Sequence, residues 1–438
     1  MHVRNAVRGV PGFTRAKGLC HNAPMRAQES KYGFDFVCRG CGASGPLGGQ
    51  SACAACGEPM SLRALGTLSP GYLRRPPRSM WHYFGLLPVT SRKRIVTLGE
   101  GATPLVDAPR LARRFGFGQV IVKNEMANPT GSFKDRQVSV GISHARECGA
   151  RTVAAVSSGN VAAATSAYAA HAGMQAVVFM HAHAGAGKVA QAAAYGARVI
   201  RVESPSPKEV FGLCIEACQR YGWYHLSTAG MYEPYNVEGA KTLAYELYQQ
   251  CGGHPPDWVV MPVGGGGLLG GVWRGFLDLK RLGLINRVPR LAGVQASGCA
   301  PLKRAIEHGE TFLETLRHPW PDPKTVAGGI ADDILFDGHT ALPAIRETNG
   351  VVIAVDDEAI IESQQTLARE EGLLCELTSA VVIAALPFLP DADASSRVCC
   401  VVTGSGIKEL AWLAGRVPEP SRIPPTMEAL AACVEAQP

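Results

Sequence analysis

One lysine stands in surroundings that a solvated surface charge does not need. Lys134 lies in NPTGSFKDR, Asn128 to Arg136, behind an Asn-Pro turn, a Thr-Gly-Ser run and a phenylalanine, with an aspartate and an arginine directly after it. A lysine amine without its proton attacks carbonyl carbon, and once released it can act as acid and base toward nearby carbon atoms. Whether Lys134 does this or is a plain charge depends on what the fold places around it.

Three other stretches carry residue types that hold anions. GGGGLLGG, Gly264 to Gly271, contains G-x-G-x-x-G. A nicotinamide-binding turn is one reading, but that reading wants an acid at the end of the next strand. The next strand, LAGVQASG, offers Gln295 and Ser297 instead. The other reading is a phosphate cup, in which Gly264, Gly265, Gly266 and Gly267 turn successive N–H groups toward an anion at a helix N-terminus. A merely tight strand-to-helix turn needs fewer glycines. Ser157, Ser158, Gly159 and Asn160 open an Ala-rich segment, and Thr403 leads Gly404-Ser-Gly into another. Alone, either is an ordinary helix N-cap.

A second kind of chemistry is written in cysteines. Residues 38 to 57 read CRGCGASGPLGGQSACAACG, so Cys38 and Cys41 form one C-x-x-C and Cys53 and Cys56 another, each pair followed by glycine. Two such knuckles wrap one tetrahedral ion, and four soft thiolates select zinc or iron; the spacing is that of a zinc ribbon. A closed four-thiolate site has no open position, so its Zn2+ is expected to be structural. The remaining cysteines, of fourteen in all, are expected to be reduced thiols, because a chain this long without a secretory signal does not read as a disulfide framework.

The elements that must position these groups follow from pattern. QVIVKNE (119–125), RTVAAVS (151–157), QAVVFM (175–180), ARVIRVE (197–203), DWVVMPV (257–263), RLAGVQA (290–296), GVVIAVD (350–356) and RVCCVVT (397–403) read as buried strands. Helical stretches such as NVAAATSAYAAHAG and KEVFGLCIEACQRYG lie between several of them. Strands alternating with helices predict an α/β fold with mostly parallel sheets covered on both faces. Ligands then sit beyond the carboxyl ends of the strands, where the lysine, SGN, glycine and TGSG loops all fall.

Composition excludes other classes. The 438 residues are 46% hydrophobic and 18% charged, with a formal net charge of +6. That is an ordinary globular balance, and it argues for neither disorder nor a nucleic-acid partner. No apolar run approaches the ~20 residues that span a membrane. Residues 1–28 carry five Lys/Arg and no acid. Residues 1–33 are read as a flexible basic tail, 34–60 as the zinc ribbon, and 61–95 as a linker whose aromatics pack the ribbon against the body. Residues 96–425 are the catalytic domain, with a smaller lobe at about 140–235, and 426–438 a C-terminal helix or tail. A cytoplasmic location is expected. His181 and His183 are read as loop histidines rather than a metal pair.

Taken together, GEGATPL, NPTGSFKDR, SSGNVAAATSAYAA, GKVAQAAAYGARVIRVE, EGAKTLAYEL, the glycine loop, EEGLLCELTSA and TGSGIKE resemble the fold-type-II pyridoxal-phosphate (PLP) enzymes, within them most closely the threonine synthases, over residues 96 to 415. The resemblance implies a two-lobed fold, preceded here by the ribbon, and a homodimer acting on a small amino-acid substrate. It implies that Lys134 forms a Schiff base with PLP and that Asn160 bonds the cofactor's phenolic oxygen. Gly264 to Gly267 would cradle its phosphate, and Thr403 would face its pyridine nitrogen. Ser157, Ser158 and Gly159 would hold the substrate carboxylate. Lys188, in AGAGKVAQ at an expected helix start, is read either as binding an acidic substrate group or as a solvated lysine. Asp135 and Arg136 are expected to pair structurally, or Arg136 to meet an anion in the cleft.

The match departs at two points. Many threonine synthases have Asn-Pro-x-Arg before Glu-Gly-x-Lys-Thr, the arginine helping to bind substrate phosphate. Here the stretch is EPYNVEGAKT, with Asn236 at the arginine position and Glu233 at the asparagine position. Leu377 also replaces a usual proline. Conversion of O-phosphohomoserine to threonine is the first expectation. A serine/threonine dehydratase-like or a cysteine- or cysteate-synthase-like β-replacement enzyme is the alternative. A zinc-ribbon interaction protein with a degenerate enzyme body is the reading outside catalysis.

Overall fold

A computed structural model describes residues 33–46, 52–66, 70–73, 75–157, 159–182, 186–204, 207–417 and 419–435. The basic N-terminal stretch lies outside the described residues apart from Gly33. Among the described residues three sheets organise the chain. The first is a small antiparallel sheet in the order β2-β1-β3: β1 (Phe34–Cys38), β2 (Ser44–Pro46) and β3 (Met60–Ala64). The second has six strands in the order β12-β11-β10-β13-β5-β4. These are β4 (Leu105–Asp107), β5 (Gln119–Asn124), β10 (Trp258–Pro262), β11 (Arg290–Ala296), β12 (Val351–Val355) and β13 (Arg397–Val402). All its pairs are parallel except β4 with β5. The third, β8-β7-β6-β9, is wholly parallel and comes from the chain between β5 and β10. It contains β6 (Thr152–Val156), β7 (Gln175–His181), β8 (Arg198–Val202) and β9 (Tyr224–His225).

The central strand β10 shows why the large sheet is buried on both faces. Successive side chains of a strand point to opposite sides. Val259 and Met261 pack with Leu269, Trp273 and Phe276 in one apolar cluster, while Trp258 and Val260 pack with Val381, Ile383 and Leu386 in the other. A strand apolar at every position needs a helix on each side, and it has them. All eight strands anticipated from the sequence are present; β4 and the two-residue β9 are too short to have shown themselves by pattern.

The stretch read as a linker is built into the structure. Strand β3 extends to Ala64 and pairs along its length with β1, so the ribbon runs past residue 60. Residues Met80–Leu86 form a 3-10 turn in which Met80, Tyr83 and Leu86 are completely buried. Their aromatics pack into the main body, and Tyr83 and Leu86 share one apolar cluster with Ala64 of β3. Trp81 donates its indole N–H to Glu100 and Ser139, and Tyr83 leans on Tyr245. Other groups hold the ribbon as well. Arg39, between the first two cysteines, lies 5.3 Å over the ring of Trp273, and Tyr235 joins the ribbon's small core. Arg281 donates to the carbonyl of Gly66 at 2.9 Å.

Candidate active site

Lys134 is the first residue of helix α1 (Lys134–Glu147), at the carboxyl side of β5. The loop before it is fixed by Asp135. Thr130 donates its backbone N–H and its hydroxyl to the two Asp135 oxygens at 2.7 and 2.6 Å, and Gly131 turns with φ +78°. Burial pushes the Asp135 carboxyl up to about 7. Arg136 faces away from Asp135 and from the cleft. It is fully buried, with Glu125 at 2.6 Å and Glu246 at 2.7 Å, and Lys123 reaches the same Glu246 at 2.7 Å. So both residues after the lysine are structural, but they do not pair with each other. Burial works against the Glu246 charge, and Arg136 with Lys123 nevertheless hold its carboxyl at about 2.

The loop that ends β13 is sewn to the lysine loop. Phe133 donates its N–H to the Thr403 carbonyl at 2.9 Å, and Ser405 donates to the Gly131 carbonyl at 3.0 Å. Thr403 is buried, and its hydroxyl lies 2.9 Å from the Ser379 hydroxyl, which also accepts the N–H groups of Thr403 and Gly404. Lys134 is partly buried; its amine donates to Gln137 at 3.2 Å and lies 4.5 Å from the Phe133 ring centre. Burial lowers its pKa to about 8, against the opposing pull of the Asp332 and Asp337 carboxylates. A lysine so placed loses its proton far more readily than one in water.

The glycine loop follows β10 and opens helix α4 (Gly267–Arg281). Gly266, at φ +99°, occupies the N-cap position without any side chain to cap the first N–H groups, which leaves them for a ligand. There is no room for side chains here. A Cβ on Gly264 would stand 2.6 Å from an Asp332 oxygen, and one on Gly266 would stand 2.9 Å from the Ala341 Cβ. The loop already binds an anion: Asp332 Oδ2 accepts the Gly265 N–H at 2.6 Å. Asp337 secures the loop from behind, donating its N–H to the Gly265 carbonyl at 2.7 Å and accepting from Gly230 at 2.8 Å.

Asn160 starts helix α2 (Asn160–His171) after β6. Its carboxamide lies between Glu376 and Lys408, donating to the first at 2.9 Å and accepting from the second at 2.6 Å. Ser157 accepts the Gly159 N–H at 3.1 Å, while Ser158 and His183 lie outside the described residues. Lys188 lies in helix α3 (Ala186–Ala194), and its side chain is outside the description. His181 ends β7, partly buried.

Asn236 is not brought to the cleft. It is fully buried at the start of the 3-10 turn Asn236–Ala240, where its amide donates to the Ser227 carbonyl at 2.7 Å and packs on Gly141 of α1. Glu233 also turns inward, accepting from the Tyr224 hydroxyl at 2.9 Å and from the Asn236 N–H. Sequence reading gave no role to Asp332, Asp337, Glu376, Ser379 or Lys408. Glu376, Ser379 and Lys408 lay within the motifs EEGLLCELTSA and TGSGIKE; nothing local marked Asp332.

The four ribbon cysteines converge, their sulfurs all within 4.8 Å of one another, with Cys38–Cys56 at 3.4 Å and Cys41–Cys53 at 3.5 Å. A tetrahedral zinc with bonds of ~2.3 Å needs sulfurs about 3.8 Å apart. Gly42 (φ +76°) and Gly57 (φ +81°) make the two knuckle turns.

A half-buried lysine of lowered pKa, a side-chain-free phosphate cup and a neutral hydroxyl at the end of β13 fit pyridoxal phosphate: an aldehyde, an anionic tail and a ring nitrogen. Residues 96–404 match the family model described as pyridoxal-phosphate dependent enzyme, and the chain belongs to that family, in its fold-type-II form. Among curated proteins it is similar to the threonine synthase of Methanocaldococcus jannaschii, 36% identical over 77% of this chain and 82% of that protein. It is also similar to the threonine synthase of Synechocystis, 38% identical over 75% of this chain and 82% of that protein. Among solved structures, maize serine racemase aligns with a TM-score of 0.61 at 23% identity, covering 72% of this chain and 91% of that one. O-ureido-L-serine synthase aligns at the same score and identity over 75% and 96%. At that identity the two structures speak for the fold alone.

Proposed function

We propose that this PLP-dependent enzyme is a threonine-synthase-like lyase that converts O-phosphohomoserine and water to threonine and phosphate. The observation that carries the proposal is the placement of Lys134: a partly desolvated amine, pKa about 8, beside a glycine cup and tied through backbone to Thr403. On this reading Lys134 binds the cofactor, Gly264 to Gly267 hold its phosphate, Asn160 meets its phenolic oxygen and Thr403 its ring nitrogen. The bound cofactor supplies the electron sink that acidifies the substrate's α carbon. The Lys134 amine would take the α proton and move a β proton as phosphate leaves the γ carbon. Water then adds at the β carbon. Ser157 and the Gly159 N–H hold the substrate carboxylate at the N-terminus of α2. The neutral hydroxyl of Thr403 does not favour a protonated ring nitrogen, which steers the bound substrate toward elimination. The four cysteines hold a structural Zn2+. The reading extends to a cytoplasmic homodimer, for which a dimer mass by light scattering is the check.

A second reading has its own support. Asn236 stands where an arginine would meet substrate phosphate, and it is buried away from the cleft. Asp332 and Asp337 lie close enough to Lys134 to raise its pKa. Both observations favour a substrate without a phosphate, and hence α,β-elimination or β-replacement. Incubation with O-phosphohomoserine and with serine or threonine separates the two. Phosphate release with threonine formation supports the first reading. Ammonia and a keto acid, with no phosphate released, support the second.

A further inference from the structure

We propose that Lys408 is a positioning residue for the cofactor: with Glu376 it locks the Asn160 carboxamide in one orientation and keeps a positive charge beside it. This rests on the reading above that Asn160 meets the cofactor's phenolic oxygen. The two ends of an asparagine side chain have nearly the same shape, so only their partners fix which way it points. Lysine can only donate hydrogen bonds, and an ionised carboxylate can only accept them. Lys408 Nζ donates to Asn160 Oδ1 at 2.6 Å, and Asn160 Nδ2 donates to Glu376 Oε2 at 2.9 Å. A flipped amide would set Nδ2 against an ammonium and Oδ1 against a carboxylate, two repulsions at once. The orientation seen leaves Nδ2 one more N–H to offer a phenolate.

The clamp is held by backbone on both sides. Glu376 donates its N–H to the Gly404 carbonyl at 2.9 Å, and a Cβ on Gly404 would collide with the Glu376 carboxylate. Lys408 donates its N–H to the Ser405 carbonyl at 3.2 Å, and its chain passes over Gly131, where a Cβ would stand 3.1 Å from Lys408 Cε. The loops that carry Lys134, Asn160, Thr403 and Lys408 therefore share one set of close contacts. A cation held at this place favours the phenolate and disfavours a second positive charge on the neighbouring imine nitrogen.

The test uses the holoenzyme. Lys408→Met is expected to raise the pH at which the Schiff-base absorbance band loses its proton by about one unit. It should lower kcat by about tenfold or more while KM changes little, because a misplaced contact to the reacting group costs rate. Lys408→Arg, which keeps the charge and the donor, should restore most of both, and unfolding temperatures should match throughout. A Lys408→Met enzyme with the wild-type pH profile and wild-type kcat overturns the proposal. A wild-type protein that forms no Schiff-base band at all instead overturns the reading of Lys134.

Discussion

The ribbon and the lysine cleft solve the same problem, holding reactive side chains still, by opposite means. The ribbon's ligands come from Cys38 to Cys56, a short stretch of chain, and its core is a handful of residues that include Phe36, Met60 and Leu62. The cleft draws its groups from loops after β5, β6, β10 and β13, and from the 332–337 and 376–379 segments. These are fixed by two large apolar clusters and by the Lys123–Glu246–Arg136–Glu125 network. On the reading of the four cysteines as a zinc site, a local site leans on an ion for its shape. A dispersed site is shaped in advance by packing, before any ligand arrives.

Predictions follow that contrast, from the largest effect down. Cys38→Ser removes one of the four thiolates, and with the metal goes on the order of 10 kcal/mol of binding that maintains the ribbon. Metal analysis should show the loss of about one zinc per chain, while some turnover survives. Loss of all turnover together with the zinc would mean that the two regions are not separable. Arg136→Met leaves Glu125 buried without its cation and Glu246 with Lys123 alone, and should cost about 3–5 kcal/mol by denaturant titration. The wild-type network has a pH signature as well. Glu246 is held at about 2, below its ordinary value of 4.5. Its contribution is fully present above pH 4.5 and is lost as pH falls toward 2. Unfolding midpoints measured across that window should show the decline in wild type and a shallower one in the mutant.

Two smaller effects sharpen the comparison. Asp332→Asn keeps an acceptor for Gly265 but removes an anion from the phosphate cup. PLP should then bind about threefold tighter or better, read by titration of the Schiff-base band. Weaker binding would mean that Asp332 supports the cup instead of competing for it. Arg39→Ala deletes the contact over Trp273, where α4 continues from the glycine loop. A cation–π contact of this kind is worth about 1 kcal/mol, so a modest fall in unfolding temperature with unchanged zinc content is expected. Unchanged stability would show that Arg39 does not help to dock the ribbon.

How far the sequence disclosed each region follows from the same distinction. The cysteine spacing is itself the ribbon's geometry, so the convergence of the four sulfurs was legible directly. The eight long strands were legible because each carries a short run rich in Val, Ile and other apolar residues, set off by turns and helical stretches. Lys134, the glycine loop and Thr403 were legible as loops after strands. Their convergence was not, since it depends on bonds such as Phe133 N–H to the Thr403 carbonyl between residues far apart in the chain. The inward turn of Asn236 was hidden for the same reason: its partners, Ser227 and Gly141, identify it only once α1 is in place. The stretch 61–95 looked like a linker because its prolines and basic residues conceal Met80, Tyr83 and Leu86, which the core takes up completely.

The central claim is that the amine of Lys134 carries the cofactor. Reduction of the PLP-loaded protein with borohydride, followed by peptide mapping, tests it directly. A pyridoxyl group on the peptide containing NPTGSFKDR, fixed to Lys134 and absent from Lys134→Ala, is the predicted result. Attachment at another lysine, or no attachment in a protein that still turns over its amino acid, would contradict it.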